Sequence, residues 1–257
     1  MKIESIIEII EDIAPLTLGA DWDNSGIQIN IGNDEITNIL ICLDINDGVI
    51  NEAIDNNVDL IVSHHPLLFN RPKTINIDDV TGKYVIDLIK SGISVYSSHI
   101  PFDNADNGNN FYLAEILGLI NVNRLKGDHP GVVGEFPMEM DLNESIEEIC
   151  DILNINRSQL DIVGDLGMNI SKVAICTGSG FDIIDEAINM ECQLVISGEM
   201  KLHQAQYGKA KGISLIDAGH YHTEKIFVEN LAHQLKVRLD ESVNIIESQF
   251  DSNPFLI

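Results

Sequence analysis

The sequence predicts an α/β fold made of two pseudo-symmetric α/β lobes from an internal duplication. Three observations carry this expectation. First, Ile39 to Ser63 (ILICLDINDGVINEAIDNNVDLIVS) aligns without a gap on Val173 to Ser197 (VAICTGSGFDIIDEAINMECQLVIS). Ile41, Cys42, Ile50, Glu52, Ala53, Ile54, Leu60 and Ser63 recur as Ile175, Cys176, Ile184, Glu186, Ala187, Ile188, Leu194 and Ser197. Second, Gly92-Ile93-Ser94 recurs further on as Gly212-Ile213-Ser214. Third, the apolar runs are continuous rather than alternating, the pattern of largely parallel strands covered by helices on both faces.

The elements follow in order. Ile3, Ile6, Ile7, Ile10 and Ile13 recur at steps of three and four, one face of an amphipathic helix that Pro15 ends. A turn-rich stretch, 19–26, leads into a short strand over 27–31. The first repeat then predicts strand (38–43), helix (48–56), strand (59–63), helix (82–90) and strand (93–97). A helix follows over 109–117, with Gly118 as its stop. The more polar middle carries a strand at 131–136 and a helix at 142–153. The second repeat supplies strands over 172–176, 193–197 and 213–217, and helices over 181–190, 201–211 and 222–235. A last strand, 243–249, is placed to extend a sheet edge. These elements divide into an N-terminal lobe (1–125) and a C-terminal lobe (126–257). Residues 126–168 connect them within one compact unit.

Ligands of open α/β sheets gather beyond the carboxyl ends of the strands. Here those ends carry histidines and acids. Ser63-His64-His65-Pro66 leaves one strand, and adjacent imidazoles at a strand exit serve two ions, or one ion from two sides; two solvated loop histidines are the plainer alternative. His99-Ile-Pro-Phe-Asp103 leaves the next. Asp106 belongs to turn or cap chemistry, because Ala105 breaks the pattern of an EF-hand loop. Gly219-His220-Tyr221-His222-Thr223-Glu224 leaves the corresponding strand of the second repeat, and on a helix His220 and Glu224 share a face. Each half thus reaches a histidine with a carboxylate four residues on.

Imidazole and carboxylate without thiolate suit Zn, Mn, Fe, Co or Ni. The expectation is two divalent ions per subunit in a cleft between the lobes, with a bridging carboxylate and open positions, as a catalytic site requires. Glu199, at the strand exit equivalent to His65, is a candidate base, with a structural role as its alternative. His99 is the other catalytic candidate. Thr177-Gly178-Ser179-Gly180 reads as a tight turn, or as a phosphate seat at a helix start; it matches neither common phosphate-loop pattern. Arg71 and Lys73 are either a solvated pair or a contact for an anionic substrate. His222 is assigned a supporting or surface role, and His129 and His233 none.

Composition narrows the function classes. The 257 residues carry 41 acids against 15 Lys and Arg, a formal net charge of -26. That excess disfavours a broad nucleic-acid surface, which needs clustered cations. The cysteines at 42, 150, 176 and 192 form no CxxC pair and are expected to be small buried hydrophobes. No apolar run is long enough to span a bilayer and the N-terminus lacks signal-peptide character, so a cytoplasmic location is expected.

Trp22-Asp-Asn-Ser-Gly26, Ser63-His-His-Pro66 with Phe69, His99-Ile-Pro-Phe-Asp103 with Asn109-Asn110, Ser197-Gly-Glu199, and Gly219-His220 with Thr223-Glu224 occur in one order along nearly the whole chain. In these motifs the sequence resembles the YbgI-type family, also called NGG-interacting-factor-three-like. Many members carry the name GTP cyclohydrolase I type 2 homologue. The resemblance is to the short form, without the extra central domain of some bacterial members. It implies a dinuclear metal site between pseudo-symmetric lobes: His65 and Asp103 on one ion, His64 and His220 on the other, Glu224 bridging. It also implies a toroidal homohexamer with the metal sites facing an internal cavity. The leading expectation is a metal-dependent hydrolase of a nucleotide-like substrate, with opening of the GTP ring as the reaction that the family name suggests. The alternative is a non-enzymatic metal-binding or adaptor protein of the same family.

Overall fold

A computed structural model describes residues 1–33, 35–70, 72–126 and 129–255. The chain forms two compact units, each an α/β layer structure. Among the described residues, the first contains Met1–Ala105 and 227–255; the second is Asp106–Ile226.

In the first unit, helix α1 (Ile3–Ile13) precedes strands β1 (Gly26–Ile29) and β2 (Asn38–Cys42). Then come α2 (Asp47–Asp55), β3 (Leu60–Ser63), α3 (Val80–Ser91), β4 (Ser94–Ser97) and the short α4 (Ile100–Asp103). The last helix and strand, α10 (Phe227–Arg238) and β11 (Asn244–Glu247), return to this unit. The sheet order is β1-β4-β3-β2-β11. All neighbours run parallel except β1, which is antiparallel to β4.

Strand periodicity explains the unbroken apolar runs. Ile39, Ile41, Leu60 and Val62 turn to one face and pack with Ile6 and Ile10 of α1 and Leu231 and Leu235 of α10. Leu40, Cys42 and Ile61 turn to the other and pack with Val49 and Ala53 of α2 and Val85 and Leu88 of α3. Both faces are dry, so both parities must be apolar.

The second unit holds α5 (Asn109–Ile116), β5 (Ile120–Arg124), β6 (Val132–Asp141), α6 (Leu142–Leu153) and β7 (Asp161–Val163). It continues with β8 (Asn169–Ser179), α7 (Ile184–Asn189), β9 (Leu194–Gly198), α8 (Leu202–Lys211), β10 (Ser214–Asp217) and α9 (His220–Glu224). Its sheet order is β5-β6-β8-β9-β10-β7. The segment β7-β10-β9-β8 has the order and directions of β1-β4-β3-β2: three parallel strands with an antiparallel strand on the outer edge. The recurring glycines have a physical cause. Gly92 and Gly212 end α3 and α8 in the left-handed conformation (φ 73° and 77°), and each turns the chain into the third parallel strand.

Two strands escaped the sequence pattern. β5 is mostly exposed and polar, and β7 has three residues, so neither shows a usable period. The boundary at 125/126 also differs from the observed division. β11 pairs in parallel with β2, α10 shares the core of α1, and β5 pairs with β6. The C-terminal segment and residues 106–125 therefore exchange sides relative to a single cut. The four cysteines are buried, as expected, and among the described residues none forms a disulfide. Among the described residues no helix is long and apolar enough to cross a membrane.

Candidate metal centre

The first unit gathers its donors where β3 and β4 end. Beyond β3 the backbone stays tied to the chain leaving β2: the His64 and His65 amides donate to Cys42 and Leu43 carbonyls. The Ser63 hydroxyl donates to the His65 carbonyl at 2.8 Å, which curls the exit and brings the two imidazoles within 5.0 Å, centroid to centroid. His99, the residue before α4, adds a third ring 5.2 Å from His64 and 5.5 Å from His65. One ligand nitrogen from each of these three rings lies within 4.8 Å of the others. One turn on, Asp103 is buried with its Oδ2 3.6 Å from His64 Nε2. The resemblance pairs Asp103 with His65; the geometry of this unit puts it beside His64.

The second unit builds its donors at the exits of β9 and β10. Asp217, the last residue of β10, accepts the amides of Glu199 (3.2 Å), Met200 (2.6 Å) and Gly219 (2.9 Å). This carboxylate fixes the left-handed turn at Glu199 (φ 61°), an uncommon conformation for a residue with a side chain. The turn aims Glu199 Oε1 at His220 Nδ1, 2.9 Å away. His220 opens α9, and its Nε2 meets Glu224 Oε2 at 2.8 Å, one helical turn on. Glu224 is 3% exposed. A Cβ at Gly178 would stand 2.2 Å from Glu224 Oε1, so only glycine lets the backbone lie against this carboxylate.

That contact explains the Thr177-Gly178-Ser179-Gly180 stretch. Its first three residues are still in β8. The Gly178 amide donates to Thr223 Oγ1 and the Gly180 amide to Ser197 Oγ. Both amides are spent inside the protein, which argues against a phosphate seat, and the stretch continues β8 rather than making the expected tight turn.

The four candidate histidines share one arrangement. Nδ1 of His64 faces the Ser98 carbonyl (2.9 Å), that of His65 faces Asp44 (2.7 Å), that of His99 faces Asp23 (2.8 Å) and that of His220 faces Glu199 (2.9 Å). Each partner is an oxygen acceptor, which favours the proton on Nδ1 and leaves Nε2 as the atom a metal would take. At His220, acceptors stand at both ring nitrogens. That arrangement calls for positive charge, either a second ring proton or a cation. The donor set therefore fits divalent metal.

Asp44 and Asp217 were not singled out by the sequence, and Asp23 entered only within the Trp22–Gly26 motif, with no role assigned. The signal was present: Asp217 ends a parallel strand, and Asp44 stands two residues beyond the end of another. Among 41 acids, position alone did not separate them. Glu199 touches His220, as a positioning carboxylate would. Asp106 pairs with Arg124 (2.6 Å) and His222 Nε2 lies 3.3 Å from Gln159 Nε2. Lys73 is exposed; Arg71 lies outside the described residues.

The Asp23 carboxyl lies below its ordinary value of 3.8. Burial raises it, but hydrogen bonds from His99 and Ser25, the His99 charge and the Asn24 amide together lower it more.

Comparison with known proteins agrees with the motif reading. A family model described as Duf34/NIF3 (NGG1p interacting factor 3) matches residues 1–254. A Clostridium perfringens protein named "GTP cyclohydrolase 1 type 2 homolog" is 37% identical over 261 residues, covering 99% of each chain. A Schizosaccharomyces pombe protein named "Protein NIF3 homolog" is 28% identical and covers 96% of this chain and 95% of its own. The crystal structure of a Bacillus cereus protein related to NIF3 superposes with a TM-score of 0.94 at 22% identity, over 100% of this chain and 99% of that one, which shows the common fold.

Two outcomes follow. Asp44→Ala frees the His65 ring and lowers divalent-metal affinity about 10–100-fold, measured by competition with a chelator of known affinity; unchanged affinity contradicts the Nδ1 argument. For Asp23, a depressed carboxyl adds stability above its unfolded value and loses it as pH falls through the folded one. Asp23→Asn is thus less stable than the parent at pH 7, and urea midpoints show the gap closing below pH 3.8. A gap that stays constant into acid removes this role.

Proposed function

Because the chain belongs to the Duf34/NIF3 family, we propose that it is a dinuclear, divalent-metal-dependent hydrolase of a nucleotide-like substrate. The observation that carries the proposal is the common Nδ1 restraint on His64, His65, His99 and His220, which directs Nε2 toward a metal at His64, His65 and His220 and toward a proton at His99. In this reading His64, His65, Asp103, His220 and Glu224 would hold the ions, as the resemblance implies. The names of relatives such as the Clostridium perfringens protein support hydrolytic opening of a guanine nucleotide ring as the reaction class.

Two ions in such a site would polarise water and the substrate's electrophilic carbon. The chain's own residues do the rest. Buried Asp23 fixes the His99 tautomer, so His99 Nε2 takes the proton from the attacking water. The same nitrogen returns it to the leaving ring nitrogen as the C–N bond breaks. Glu199 acts through His220, by holding its ring, rather than on substrate. We propose the toroidal homohexamer for this chain on the resemblance alone, and the cytoplasmic location on its sequence character.

The test uses tag-free protein loaded with Mn, Fe, Zn or Co and given a nucleotide panel, with ring absorbance and product chromatography as readouts. Turnover is expected with at least one metal. Glu224→Gln loses both metal and turnover. His99→Gln keeps metal and loses about 10²–10⁴-fold in rate. Full metal occupancy with no turnover on any nucleotide would reject the hydrolase and leave the metal-binding adaptor standing.

A further inference from the structure

Trp22 and Phe69 are unusual for large aromatic side chains: 62% and 49% of their surfaces are exposed. Tryptophan gains more than most residues from burial, so an exposed one invites a functional account. The two rings stand 6.2 Å apart, and each is also 6.2 Å from the His99 ring, which meets both edge-on at 71°. His65 lies 5.5 Å beyond His99. The rings thus stand beside the histidine cluster of the same unit.

Both are held in place. Trp22 begins four consecutive residues that are built around His99 and the loop carrying Phe69. Asp23 binds His99 Nδ1. The Asn24 side chain donates to the Leu68 carbonyl at 2.8 Å, and Gln28 accepts the Leu68 amide at 3.2 Å. The Ser25 hydroxyl donates to Asp23 at 2.6 Å and accepts the His99 amide at 3.0 Å. One short segment therefore fixes the catalytic candidate and both walls beside it. The metal and proton chemistry already described uses neither ring.

We propose that Trp22 and Phe69 form a stacking rim that receives the planar heteroaromatic ring of the substrate and directs its edge toward His99. This rests on the hydrolase reading and names the part of the substrate that the protein itself recognises. A heteroaromatic ring suits this place because it offers a π-face to Trp22 and polar edge atoms to His99. An apolar side chain from a partner protein would cover the part-exposed His65–Asp44 pair without replacing its contact with water. Charge favours the same occupant. With 15 cationic side chains against 41 anionic ones, the metal-free chain has little with which to attract phosphate, so stacking must supply recognition of the base.

Trp22 is the chain's only tryptophan, so its emission reports on the rim. Full-length protein held metal-free with a chelator is titrated with guanosine and, separately, with ribose 5-phosphate. The expected result is a saturable emission change with guanosine, the same at low and high protein concentration, and none with ribose 5-phosphate. Ligand-observed NMR then compares variants. Trp22→Ala and Phe69→Ala should weaken guanosine binding roughly 5- to 140-fold, the equivalent of about 1–3 kcal/mol of stacking at 1.4 kcal/mol per tenfold. Trp22→Phe should stay within about tenfold of the parent, because a π-face remains. Equal binding by Trp22→Ala, or no guanosine binding at all, overturns the rim. So does an emission change that follows protein concentration instead of guanosine, which would make the rim a contact between copies. Turnover by metal-loaded protein is scored separately. Turnover without guanosine stacking rejects the rim alone; stacking without turnover rejects the hydrolase alone.

Discussion

The hydrogen bond from each imidazole Nδ1 to a fixed oxygen is the constraint on which the rest of this structure depends. A free imidazole divides its proton between two nitrogens and rotates about two bonds. Here the acceptors decide both matters at His64, His65, His99 and His220. Three acceptors are carboxylates and one is a backbone carbonyl, yet the consequence is the same: a ring preset in orientation, with Nδ1 held. Acidic composition serves the same end, since carboxylates close to imidazoles favour bound cations.

The fold supplies these acceptors at little cost. Parallel strands end in register, so residues just past neighbouring strands come together although distant in sequence. His64 and His65 follow β3, His99 follows β4, and Asp44 follows β2. In the second unit Glu199 follows β9, and Asp217 closes β10 just before His220. The glycines reflect close approach at these exits. Gly178 exists because Glu224 lies against its backbone, and a Cβ at Gly198 would stand 2.5 Å from the His220 amide nitrogen.

The sequence made the repeated core legible because burial on both sheet faces writes continuous apolar runs, as in Ile39–Cys42 and Leu194–Ile196. The histidines, with Asp103 and Glu224, were legible because they stand at strand exits just beyond those runs. β5 and β7 were not, since an exposed edge strand has no hydrophobic period to display. The division of the chain was misplaced for a related reason: pairing of β11 with β2 is a long-range event that no local pattern reports. Asp23 and Asp44 stayed hidden because their role depends on which imidazole the fold brings to them. The pairing of Asp103 with His64 likewise follows from how α4 leaves β4, a geometry that residue spacing leaves open.

The central claim is that pinned imidazoles and buried carboxylates from this chain hold two divalent ions. Metal quantification of tag-free protein purified without chelator, combined with X-ray absorption at the edge of the metal found, tests it most directly. The account predicts close to two ions per chain, each in a nitrogen and oxygen shell containing imidazole and no sulfur. Protein that is well folded but retains no metal after supplementation, or metal in a shell containing cysteine sulfur, would contradict it.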